Sequence, residues 1–162
     1  MFFNKFKKNK KNEMYAPVNG EIVQLQDVPD PVFSEKMMGE GIAILPEEGE
    51  LYSPVEGKVI QVAPTKHAIG ILASDGSEIL LHVGLETVLL KGSGFTPHVK
   101  EGDEVTVGQH IMSFDLPFLK ENVSSTIIPM VITNSLDGKK EFFLTKESKA
   151  KKGKTVLITI IS

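Results

Sequence analysis

Short apolar runs, broken at close intervals by glycine, proline and polar pairs, extend through most of the chain. Where apolar and polar positions alternate, or where β-branched residues cluster between turn formers, the pattern predicts strands. These fall at 16–25, 41–46, 57–63, 67–73, 78–84, 104–107, 110–115, 127–133 and 155–161. Only 116–125, which opens at Leu116-Pro117, predicts a helical turn. Residues 139–152 are polar and carry no period. So many short strands between turn formers predict an all-β fold, an antiparallel sandwich or barrel-like arrangement with short helical turns.

Residues 65–88, TKHAIGILASDGSEILLHVGLETV, place His67 and His82 on either side of a turn at Asp75-Gly76. That dipeptide is a strong hairpin signal, because a type I′ turn needs φ > 0 at both central positions. A two-residue loop pairs Ser74 with Ser77, and a four-residue loop pairs Ala73 with Glu78. Both set Ile69 opposite His82 and Gly84 opposite His67. His67, Ile69, Ile71, Leu80 and His82 then share one face, with the two histidine backbones roughly 7–8 Å apart on a diagonal. A loop one residue longer or shorter moves the histidines to opposite faces. Two imidazoles on an apolar face suit a zinc site, given further ligands. They equally suit nucleophilic chemistry, in which one neutral ring attacks and the other donates to the developing charge. A structural histidine within a strand is the third reading.

The chain repeats itself. APVNGEIV at 16–23 recurs as SPVEGKVI at 53–60, and KEGDEVTVGQHI at 100–111 has a weaker copy at 150–160. Both pieces resemble parts of biotinyl and lipoyl carrier sandwiches, but no E-x-M-K-M hairpin is present to carry a cofactor on lysine. The segment VPDPVFSEKMM, 28–38, reads as a loop or irregular edge. It lies over the core or offers Val32, Phe33, Met37 and Met38 to a partner. His98, after Pro97, and His110, in a glycine-flanked turn, read as surface residues.

Composition narrows the chemistry. At 162 residues the chain is expected to form one domain. It has no cysteine, hence neither a disulfide frame nor a thiol nucleophile. With no apolar leader and no run near the ~20 residues of a membrane span, the expectation is a cytoplasmic, free-standing protein. All basic residues are lysines, so phosphate has no guanidinium clamp within this chain. Net charge is −3 and uneven: Lys5, Lys7, Lys8, Lys10 and Lys11 precede the first acid, Glu13. With Phe2, Phe3 and Phe6 among them, residues 1–13 read as a separate basic tail, either disordered or resting on an anionic membrane surface through residues 2–11. The body, 14–162, is acidic, which argues against nucleic acid and for a basic partner.

The sequence GSEILLHVGLETV at 76–88, with Thr65-x-His67-Ala68 upstream, resembles the glucose-type enzyme IIA of the bacterial phosphoenolpyruvate-dependent sugar phosphotransferase system. The resemblance continues in VPDPVFSEKMMGEGIAI (28–44), G-x-G-F (92–95), FDLP (114–117) and IPMVITN (128–134), nearly the whole chain after residue 14. It implies a β-sandwich of the duplicated hybrid motif type. It implies that His82 accepts phosphate through Nε2 while the Gly84 carbonyl holds Nδ1–H. His67, oriented by Thr65, would donate to the phosphoryl oxygens. Asp30, Val32, Phe33, Met37, Met38, Ile69, Leu80, Glu86 and Val88 are implied as a partner-binding ring, with Asp30 and Glu86 meeting arginines of the phosphocarrier HPr. Phosphate would arrive from HPr and leave to a cysteine on the enzyme IIB domain of a sugar permease, with no cofactor required. Regulated transporters or kinases are further implied partners. The alternative is a regulatory binding module, in which His67 and His82 hold Zn²⁺ together with a partner's carboxylate.

Overall fold

The computed structural model describes residues 10–162. Its strands, all antiparallel where paired, form three sheets. The largest has eight strands in the order β13 (Lys149–Ala150), β2 (Gly20–Gln24), β3 (Glu40–Pro46), β11 (Ile128–Ile132), β7 (Glu78–His82), β6 (Ala68–Ala73), β5 (Gly57–Val62), β9 (Glu104–Val105). Two three-stranded sheets complete the sandwich. One is β1 (Lys11–Tyr15), β14 (Val156–Ile161), β12 (Glu141–Leu144); the other is β4 (Glu50–Tyr52), β10 (His110–Phe114), β8 (Phe95–Pro97). The helices are the single turn α1 (Pro31–Ser34) and α2 (Leu116–Asn122).

The repeats are the two halves of this architecture. Tyr15 N–H donates to the Pro54 carbonyl (2.9 Å) and Tyr52 N–H to the Pro17 carbonyl (2.8 Å), so the 37-residue copies cross reciprocally. The second pair of copies repeats the relation. Gly153 N–H donates to the Ala16 carbonyl and Gly108 N–H to the Ser53 carbonyl, both at 2.9 Å. The eight-stranded order reads as two four-strand halves meeting at β11 and β7, where Met130 faces Leu81. A pseudo-twofold axis therefore passes through that pair.

Alternation gives the large sheet two buried faces. Ile44, Ile69, Ile71, Ile79, Leu81 and Met130 enter the main core between the sheets. The other face carries a smaller cluster of Leu25, Val28, Phe33, Ala43, Leu85, Ile127 and Val131, roofed by residues 25–38. It is this second face that bears the site.

Most predicted strands are present, several shortened. The strand expected at 16–25 begins only at Gly20, because residues 15–17 cross their repeat instead. The segment 28–38 contains α1, a helical turn in a stretch expected to be irregular. The Asp30 side chain caps it by accepting from Val32 N–H at 2.9 Å, and Pro31 opens it. Residues 139–152, patternless in sequence, supply β12 and β13. The edge strand β12 packs Phe142 and Leu144 on the core and leaves Phe143 exposed. Strand β1 begins at Lys11 and buries Met14, so the body starts before residue 14. Most of the segment expected to touch a membrane, residues 2–11, lies outside the described residues.

Candidate functional site

The hairpin closes with three residues, not two or four. Ala73 N–H donates to the Ser77 carbonyl (2.8 Å) around Ser74, Asp75 and Gly76, with Gly76 at φ +89°. Asp75 holds the bend by accepting from Ser77 N–H at 2.9 Å and from its hydroxyl at 3.0 Å. Lys140 of the neighbouring sheet clamps it from above, 2.6 Å from the Asp75 carbonyl.

This shifts the register by one from that expected. Ala68 lies opposite His82 and Ile69 opposite Leu81. Ile69 and Ile71 consequently face the main core, wholly buried, and the reading of Ile69 as a partner contact is overturned. Such a register would also send His67 to the core side if the strand were regular. It is not: Lys66 adopts φ +62°, and β6 starts only at Ala68. The bend swings the His67 ring round to His82, where the centroids lie 4.8 Å apart with the planes nearly perpendicular at 78°.

Each ring has one nitrogen occupied. His82 Nδ1–H donates to the Gly84 carbonyl at 2.7 Å. Gly84 does not lie opposite His67; Val83 does, its N–H donating to the His67 carbonyl at 2.8 Å. Glycine is needed at 84 for another reason. Its φ is +79°, and a Cβ there would stand 2.6 Å from Thr87 Cγ2. Thr87 is itself fixed by donating to the Val83 carbonyl at 2.7 Å. On the other ring, the Thr65 hydroxyl lies 2.6 Å from His67 Nδ1. His67 is nearly buried, His82 half-buried.

The surroundings are apolar with an acidic rim. Phe33 packs tilted against His82, centroids 5.3 Å apart. At 5% exposure Phe33 is a wall of the site, not the free partner contact expected. Val32, Met37 and Val88 are exposed, and Leu80 and Met38 are partly buried against the smaller cluster. Next to Val88, Leu89 is 73% exposed, an apolar residue that sequence reasoning did not single out. Its signal was the run Val88–Leu90, apolar yet in no predicted strand. Asp30 is close enough for its charge to act on His82. Glu86, at φ +63°, accepts from the Ser124 hydroxyl at 2.9 Å.

Both imidazoles are held below the ordinary histidine range. For His82 the first cause is burial, opposed by the hydrogen bond to Gly84 and the charge of Asp30. For His67 it is burial and then the neighbouring His82, opposed by the Thr65 backbone. A depressed histidine pKa favours the neutral ring in the folded state. The stability it contributes is complete above the ordinary value of 6.5 and is lost as pH falls toward the folded pKa values. Thermal unfolding is therefore expected to shift to lower temperature as pH drops from about 7 to about 5. In a His67→Gln/His82→Gln variant that dependence should be shallower; an unchanged slope would contradict the shifts.

Among the described residues no group of three or more histidine, cysteine or carboxylate side chains is arranged to hold a metal ion. No helix there is long and apolar enough to cross a membrane.

Fold and site together define a class: an antiparallel sandwich of two like halves, bearing one pair of neutral imidazoles on an apolar face with an acidic rim. Residues 12–137 match the family described as phosphoenolpyruvate-dependent sugar phosphotransferase system, EIIA 1. The glucose-specific EIIA component of Halalkalibacterium halodurans is 49% identical over 147 residues, 91% of this chain and 84% of that protein. That of Oceanobacillus iheyensis is 46% identical over the full length of both. The glucose-specific EIICBA component of Staphylococcus carnosus is 53% identical over 121 residues, 75% of this chain but 18% of that longer protein. Glucose permease IIA from Mycoplasma capricolum has the same fold, with a TM-score of 0.84 and 38% identity, covering 93% of this chain and 96% of that one. The chain belongs to the EIIA 1 family of the phosphoenolpyruvate-dependent sugar phosphotransferase system, and is a phosphotransfer component of that system.

Proposed function

We propose that His82 accepts a phosphoryl group on Nε2 from phospho-HPr and passes it to the IIB domain of a glucose-type sugar permease. The observation that carries this reading is the 2.7 Å bond from His82 Nδ1–H to the Gly84 carbonyl. It fixes the tautomer, so Nε2 keeps its lone pair, and a ring held neutral by burial keeps that lone pair near pH 7. In the acceptance step the Nε2–P bond forms as the P–N bond to the carrier's imidazole breaks. No oxidant, reductant or nucleotide enters. The phosphoryl oxygens carry most of the charge in such a loose transition state. With the Thr65 hydroxyl donating to His67 Nδ1, a proton remains on His67 Nε2 to donate to them.

The rim suits a basic partner. Asp30 and Glu86 present carboxylates beside exposed Val32, Met37 and Val88, and this chain has no arginine of its own. Arginines on HPr supply what is lacking. A relative named EIICBA, with an A segment in one chain with B and C, supports a IIB domain as the onward acceptor. The same reading places the protein in the cytoplasm, with the basic, Phe-bearing residues 2–11 giving weak contact with the inner face of the membrane.

Intact-mass spectrometry after incubation with phosphoenolpyruvate, enzyme I and HPr should show a gain of one acid-labile phosphate. A folded protein that gains none overturns the reading and leaves a binding module, for which zinc titration of the His67–His82 pair is the next measurement.

A further inference from the structure

A second histidine pair stands on the sheet β4-β10-β8, and phosphoryl transfer makes no use of it. In β10, Ser113 faces Thr96 of β8 and Glu50 of β4, and His98 N–H donates to the Ile111 carbonyl at 2.9 Å. This pairing brings residues twelve apart in sequence together, His98 and His110, with ring centroids at 4.5 Å. Three side-chain atoms converge on the Ser113 hydroxyl: His98 Nε2 at 2.8 Å, His110 Nε2 at 3.3 Å and Glu50 Oε1, which accepts from it, at 2.9 Å. His110 Nε2 and Glu50 Oε1 are 2.5 Å apart. The Tyr52 ring packs on His110 with centroids 5.1 Å apart, and limits where that imidazole can turn. Lys152, the nearby cation, is engaged by the Tyr52 hydroxyl at 2.9 Å and by Glu48 at 3.2 Å.

We propose that His98, His110 and Glu50 form a binding site for a divalent transition cation of the zinc type. Two imidazole nitrogens and one carboxylate oxygen are the donor set of an open, three-ligand zinc site, with water in the fourth position. The place where the donors converge is filled here by the Ser113 hydroxyl, and in this arrangement they do not stand as a metal-holding group. Rotation of Ser113 about χ1 vacates that place. The donors must then move inward by about 1 Å to reach the ~2.0–2.2 Å of zinc–nitrogen and zinc–oxygen bonds, while His110 Nε2 and Glu50 Oε1, now hydrogen-bonded at 2.5 Å, must separate. His98 is exposed, and the side chains of His110 and Glu50 are 39% and 41% exposed, so this movement disturbs no core.

The test is zinc titration of the untagged full chain, carried out in a His67→Gln/His82→Gln background so that the phosphoryl-site histidines cannot contribute. One equivalent of Zn²⁺ is expected to bind. Adding His98→Gln and His110→Gln should abolish that equivalent, and Glu50→Gln should weaken it roughly tenfold or more. Absence of the equivalent, or binding unchanged by these substitutions, overturns the proposal. In the unsubstituted protein, histidine ring resonances report on the same question without altering the fold. Zinc should shift those of His98 and His110, and shifts confined to His67 and His82 would refute the site.

Discussion

His82→Ala is expected to take up no phosphate under conditions that label the wild-type chain to completion, a fall in incorporation rate of at least about 10³-fold. The substitution removes the ring whose Nδ1–H is fixed on Gly84 and whose Nε2, with its lone pair free, is the proposed nucleophile. His67 is a poor substitute although the rings are neighbours at 4.8 Å. It is nearly buried, and in the tautomer proposed for it, with the Thr65 hydroxyl donating to Nδ1, Nε2 carries a proton and not a lone pair. His82 lies on the face of the small apolar cluster and away from the main core, so the variant should retain the fold, which circular dichroism checks. Acid-labile phosphate on folded His82→Ala would refute the assignment of the nucleophile.

His67→Gln should separate the two half-reactions. Acceptance from phospho-HPr is expected to persist within about tenfold, since the nucleophile and its carbonyl partner are untouched. Onward transfer to a IIB domain should fall about 10²–10³-fold, the usual effect of deleting one donor that acts on developing charge, or about 2.7–4 kcal/mol. The amide can donate a hydrogen bond, but Thr65 no longer sets its direction. Single-turnover measurement of each half-reaction decides the matter. Equal losses in both would mean that His67 supports His82 and does not act on the phosphoryl group.

The histidine pair was legible in the sequence, but not through the geometry first assigned to it. Asp75-Gly76 signals a turn without fixing its length. The loop adopted has Gly76 at φ +89° and an Asp75 side chain bonded to Ser77, both as compatible with the dipeptide as a two-residue turn is. The one-residue shift put Ile69 in the core, and by alternation alone it would have parted the rings. They meet because Lys66 takes a left-handed conformation just before β6, and a lysine gives no local sign of that. Long strands with a clear period were found. Lys11–Tyr15, Glu50–Tyr52, Phe95–Pro97, Glu141–Leu144 and Lys149–Ala150 were not, being too short or too polar to show one. Their strand character comes from pairing with distant segments, as in β1 against β14. The convergence of His98 and His110 is hidden for the same reason, since it exists only through the pairing of β8 with β10.

The relation between the halves has a consequence for how many reaction centres the fold can hold. Pairing Ile22 with Ile44 and Val59 with Ile71 makes Ile71 the counterpart of Ile44, and Ile79 that of Ile128. Carried along the strands, His82 corresponds to Val131. Val131 is the cross-strand partner of Leu80, two residues from His82 itself. The dyad runs beside the site, so a second nucleophile at the equivalent position would stand inside the pocket of the first. If His82 is the phosphoryl acceptor, the duplicated framework has room for one such group: one half furnishes the ring, and the other supplies the Phe33 lobe that packs on it. On the proposed function, one phosphate per chain is the stoichiometry expected from where the axis lies.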